Sequence, residues 1–155
     1  MQNKSMKVLI NKLKAITEIN EDDIWFKFLR NNEEGILNLN RYDQLFNEGI
    51  NSDGVNLDNI GGAYTEGYAA YKRSLGLPDD RNTLYINGYF YSLFQLIASK
   101  EGFKITASDS IELVRDIKEQ FGADVLGLTN ESKSKLSIIL AKDIREFIIK
   151  IWQES

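Results

Sequence analysis

Strict two-residue alternation of apolar and polar side chains marks one short stretch, Phe103-Lys104-Ile105-Thr106-Ala107. This feature constrains the fold more than any other. A period of two puts Phe103, Ile105 and Ala107 on one face of a strand, with Lys104 and Thr106 on the other. The β signal extends back to residue 83. Thr83-Leu84-Tyr85-Ile86 reads as a strand, Asn87-Gly88 as a type I′ turn, Tyr89 to Ser99 as its return, and Glu101-Gly102 as a further turn. Residues 83–107 are therefore expected to form a central antiparallel hairpin. Two to four strands cannot bury their own faces, so helices must cover one side. The expectation is an α+β fold: a small antiparallel sheet covered by helices, with N-terminal helices and a long C-terminal helix.

The flanking sequence supplies those helices. Met6, Leu9, Leu13 and Ile16 recur at helical spacing over residues 4–17. Asn20 followed by Glu21, Asp22 and Asp23 is an N-cap with acids suited to the positive end of a second helix. Asn31-Asn32 and Gly35 should end it. Tyr42, Leu45, Phe46 and Ile50 suggest a third helix that stops at Gly49, with a turn at Asn51-Ser52-Asp53-Gly54. Residues 55–63 read as a loop, and Tyr64, Tyr68 and Tyr71 form another helical stripe. Ser108 or Asp109 should cap a helix through residues 110–121, closed by Gly122. A last helix from Thr129 or Asn130 to about Trp152 carries Leu136, Ile139, Leu140, Ile144, Phe147 and Ile151. Ile138, Ile149 and Trp152 lie beyond that stripe, which predicts two buried faces. One domain spans residues 1–155, with residues 1–38 as a helical extension and 39–155 as the core.

Two absences restrict the chemistry. The chain has no histidine and no cysteine, which removes Ser–His–Asp triads, Cys–His dyads, His-ligated metals and thiolate sites. The turn at Asn51 resembles a calcium loop only in its first residues. Val55 stands where an oxygen ligand is needed and Gly62 where glutamate is needed, so an Asx turn is the better reading. Asp79 and Asp80 are adjacent, and adjacency does not deliver the cross-cleft separation of a glycosidase pair. No catalytic, cofactor-binding or metal-ligating residue is assigned, and no cofactor is expected. The tyrosine stripe and the cluster Tyr85, Tyr89, Phe90, Tyr91 lack basic neighbours, which favours core packing or protein contacts over base stacking.

Charge is distributed unevenly. Residues 1–17 carry Lys4, Lys7, Lys12 and Lys14 with no acid, and residues 18–60 carry ten acids against three bases. The net charge of −4 argues against a sequence-specific nucleic-acid partner. No run approaches the ~18–20 apolar residues of a membrane span, and Asn11 and Lys12 interrupt the only N-terminal apolar run. A location inside a cell, or in a particle assembled there, is expected. The four lysines are candidate interface residues, either between subunits or against the chain's own acidic segment.

From about residue 48 to 150 the order of short motifs resembles a known group. The sequence runs from Gly54 and Leu57 through Tyr64 to Lys72 and Gly76. It continues with Leu84-Tyr85-Ile86-Asn87-Gly88-Tyr89-Phe90-Tyr91-Ser92, a turn at Gly102, Gln120-Phe121-Gly122, and the helix from Glu131. This order is similar to that of the head–tail joining (neck, or tail-completion) proteins of tailed bacteriophages, including the Mu-like virion morphogenesis family. Asn87 departs from the usual threonine, and Leu126-Gly127-Leu128-Thr129 stands in place of an Arg-Pro-Phe. The resemblance implies a non-enzymatic virion protein, assembled in the bacterial host cytoplasm. It would form a homo-oligomeric ring beside portal, connector or tail proteins. The alternatives are a small carboxylate-dependent hydrolase acting on bacterial cell wall and a cytoplasmic adaptor.

Overall fold

The computed structural model describes residues 2–154, with side chains from Met6 onward. Helices α1 (Gln2–Thr17), α2 (Glu21–Asn31) and α3 (Glu33–Asn38) lead into a π-helical segment, Leu39–Glu48. Short helices α4 (Asp58–Gly61), α5 (Glu66–Ser74) and α6 (Tyr89–Ser92) precede the hairpin of β1 (Gln95–Ser99) and β2 (Gly102–Thr106). Helix α7 (Glu112–Phe121), a 3-10 turn at Ala123–Val125 and the long α8 (Asn130–Glu154) complete the chain. The fold is α+β, with a two-stranded antiparallel sheet and a long C-terminal helix.

The alternating stretch behaves as its period dictates. Ile105 and Ala107 are buried, Phe103 packs at the core edge and Lys104 is exposed. Leu96 pairs with Ile105 and Ala98 with Phe103 across the hairpin, which turns at Lys100-Glu101. Helix α2 lies against it, its Trp25 Nε1 donating to the Ser99 carbonyl at 2.9 Å.

The expected strand at residues 83–86 does not form. Four side-chain contacts capture this segment instead. Lys72 Nζ donates to Thr83 Oγ1 at 3.1 Å and to the Tyr85 carbonyl. Tyr91 Oη donates to the Thr83 carbonyl at 2.5 Å, and the Thr83 N–H donates to Tyr64 Oη at 3.1 Å. With its backbone groups taken by side chains, the segment has no need of a strand partner. The Asn87-Gly88 pair is likewise not a hairpin turn. Gly88, at φ +79°, opens α6, and Asn87 Oδ1 accepts from the Tyr89 N–H at 3.0 Å.

Other boundaries also differ. The segment 55–63 contains α4, and Gly35 lies inside α3 rather than after a helix end. Ile111, not Ser108 or Asp109, precedes the first turn of α7. Leu29, Ile36 and Leu37 belong to the core cluster, so of the expected extension 1–38 only α1 stands outside it. Elsewhere the sequence signals hold. Gly49, at φ +66°, ends the π-helical segment. Asn20 caps α2 by accepting from the Asp22 N–H, and Thr129 Oγ1 caps α8 by accepting from the Ser132 N–H at 3.1 Å.

Two buried amides of the π-helical segment fix where α8 starts. Asn40 Nδ2 donates to the Val125 carbonyl at 3.0 Å, and Asn40 Oδ1 accepts from the Gly127 N–H at 2.9 Å. One turn later, Gln44 Nε2 donates to the Gly127 carbonyl and Gln44 Oε1 accepts from the Thr129 N–H, both at 2.9 Å.

Candidate functional site

The four lysines singled out by charge fall on α1, and α1 packs against α8. Lys12 Nζ donates to the Trp152 carbonyl at 2.6 Å and lies 5.2 Å from the centre of the Trp152 ring. Lys7 and Lys14 are exposed; the side chain of Lys4 lies outside the described residues. The apolar stripe of α1 stays largely in water. Met6, Leu9 and Leu13 are 60%, 46% and 49% exposed, and of that stripe only Ile16 is half-buried.

Helix α8 outruns the core. Its last buried residue is Leu136, and beyond it Leu140, Asp143 and Phe147 form a half-buried seam. Phe147 meets Phe28 edge-on at 5.8 Å, and Asn32 Nδ2 donates to Asp143 Oδ2 at 2.6 Å. The second apolar face, read from sequence as buried, is bare: Ile138 is 72% exposed and Ile149 44%. Helix α1 and the distal half of α8 thus make a helical arm whose apolar side chains are largely in water. Scattered exposed hydrophobics are ordinary, whereas contiguous ones mark an interaction surface.

A groove of about 640 Å³ lies elsewhere on the molecule, between α7, the start of α5 and residues 84–90. Its walls include Tyr64, Tyr68, Tyr85, Tyr89, Leu113 and Ile117, and no charged side chain lines it. Tyr64 and Tyr68 meet edge-on at 4.9 Å. The tyrosine stripe, expected to serve core packing or protein contacts, lies at the surface: Tyr68 and Tyr71 are 41% and 51% exposed. At the groove wall the Phe121 ring packs on Gly61, where a Cβ would sit 2.2 Å from the ring. Only glycine leaves that space.

Behind the groove sits Lys72, wholly buried, with no carboxylate partner among the described residues. Burial pushes its ammonium below the ordinary lysine value. Burial and then the neighbouring tyrosines Tyr42, Tyr64 and Tyr85 push the Tyr91 phenol above its ordinary range. Burial, with Tyr64 and Tyr71, does the same to Tyr68 more weakly. Lys72, Tyr64 and Tyr91 all direct their polar atoms at residues 83–85, so together they form a clasp.

The remaining motifs resolve into local structure. Asn51 Oδ1 accepts from the N–H groups of Asp53 (3.0 Å) and Val55 (2.9 Å), an Asx turn. Asp79 and Asp80 are taken by separate cations, Arg73 and Arg81, each at 2.6 Å. Asp53 and Glu131 line one shallow groove of about 400 Å³ with Lys133. This is the groove in which two carboxylates come together, and both acids are exposed. Among the described residues no cluster of three acids could hold a metal ion, and no helix is long and apolar enough to cross a membrane. No protein-family model, curated protein or solved structure matches the chain.

Proposed function

We propose that this protein is a non-enzymatic structural subunit of a tailed-phage virion, part of the ring-like connector between portal and tail. The observation that carries the reading is the bare apolar arm of α1 and α8. A chain that exposes Met6, Leu9, Leu13, Ile138 and Ile149 to water reduces that cost by associating with other protein surfaces. The motif order over residues 48–150 supports the choice of setting, and the groove is lined by no carboxylate or amine. Self-association comes first, and the ring then presents its faces to portal, connector or tail proteins.

Negative-stain electron microscopy of the purified chain tests this, combined with a turnover screen on peptidoglycan. Closed rings and no turnover are expected. Turnover that Asp53→Asn or Glu131→Gln abolishes would replace this reading with the cell-wall hydrolase.

A further inference from the structure

We infer that the tyrosine groove of one copy receives the helical arm of the next, with α1 leading. This deepens the proposed self-association and rests on it. Arm and groove share no residue. Two different surfaces that fit each other build head-to-tail contacts, which close into rings when the rotation per subunit allows.

Charge selects the occupant. On α7, Leu113, Ile117 and Gln120 face the groove, and the residues one position earlier are Glu112, Asp116 and Glu119, all exposed. Spacings of four and three place these acids on one ridge along the groove edge. Glu66, in the first turn of α5, stands among the groove residues Thr65 and Tyr68. None of the four makes an ion pair among the described residues, whereas Lys118 of the same helix is held by Asp109 at 2.6 Å. The wanted partner is apolar, cationic and free of acids. Helix α1 has that composition: Met6, Leu9 and Leu13 are exposed beside Lys7 and Lys14, and residues 1–17 hold no acid. Neither Lys7 nor Lys14 has an ion-pair partner among the described residues.

Area is consistent with a stable contact. A whole aliphatic side chain is worth roughly 60–120 Å², from 1.5–3 kcal/mol at about 25 cal/mol/Å². Eleven arm side chains from Met6 to Trp152, each 39–72% exposed, therefore offer on the order of 300–600 Å² of apolar area. A standard interface uses about 800 Å² on each side.

Complementation tests the pairing. An arm variant (Leu9→Asp with Leu13→Asp) and a groove variant (Tyr68→Ala with Leu113→Lys) are each expected to stay monomeric by sedimentation velocity, with wild-type circular dichroism. Mixed together, they should form a heterodimer that grows no further, because each retains one working surface. If the groove variant assembles like the wild type while the arm variant does not, the arm pairs with another surface. The inference then falls and the proposed self-association stands. A wild-type chain that is monomeric throughout removes both. Should the groove variant misfold, a charge exchange at exposed positions decides instead. Glu112→Lys, Asp116→Lys and Glu119→Lys together should weaken assembly about tenfold at low salt, and adding Lys7→Glu and Lys14→Glu should restore it. Assembly unchanged by the three reversals, or no restoration by the two, overturns the pairing.

Discussion

Thr83 is the residue on which the clasp converges. Its hydroxyl accepts from Lys72 Nζ and from the Tyr85 N–H at 3.3 Å, its carbonyl from Tyr91 and its N–H donates to Tyr64. The following residue, Leu84, sits at φ +54°. That backbone is costly for a branched side chain and persists only where surrounding contacts hold it. Replacing Thr83 with valine keeps the volume, leaves Lys72 Nζ only the Tyr85 carbonyl and leaves the part-buried Tyr85 N–H unpaired, so urea unfolding should show a loss of about 1–3 kcal/mol. Lys72 adds a dependence on pH. Its folded-state pKa is lowered, so between that value and the ordinary 10.5 the unfolded chain binds more protons. The stability of the wild type relative to Lys72→Met should therefore rise as pH increases through that window and level off at both ends. A difference that is flat with pH would mean that Lys72 is not desolvated. At this scale the sequence shows the tyrosines and the lysine as residues but not their meeting. Lys72 and Thr83 are eleven positions apart, and no periodic signal links a helix residue to a loop.

Among the elements, the hairpin over residues 95–106 was legible because one face is buried and the side-chain period records it. The stretch 83–86 carries the same β-favouring residues and forms no strand, since side chains rather than a neighbouring strand satisfy its backbone. β propensity reports a fit to a half-buried surface, and the clasp supplies another such surface. The clamp of Asn40 and Gln44 on residues 125–129 was invisible for the same reason: four hydrogen bonds span more than 80 positions of sequence. Asn40→Ala should expose its worth, losing two bonds and leaving the buried Val125 carbonyl and the half-buried Gly127 N–H unpaired. A cost of about 2–4 kcal/mol is expected in chemical denaturation. A change within ±0.5 kcal/mol would show that water replaces the amide.

For the whole molecule, the arm is where local pattern and environment part. The third-and-fourth spacing of apolar residues on α1 and α8 correctly gave helices, and it then suggested burial that a single copy does not provide. Ile138, Ile149 and Trp152 were visible as an excess beyond one stripe. An excess of apolar residues reads the same whether the second face is covered by the chain's own core or by another copy. The candidate lysines were likewise legible as a cluster, whereas the acidic ridge on α7 lay hidden in a region of near-neutral overall charge. Sedimentation velocity over a wide concentration range, comparing the wild type with Ile138→Asp/Ile149→Asp, shows whether the bare apolar arm drives self-association. Concentration-dependent growth of the wild type into a closed oligomer is expected, with the variant remaining a folded monomer whose stability changes by less than about 0.5 kcal/mol. A wild-type chain that sediments as a monomer at every concentration, or a variant that assembles identically, would contradict self-association through the arm.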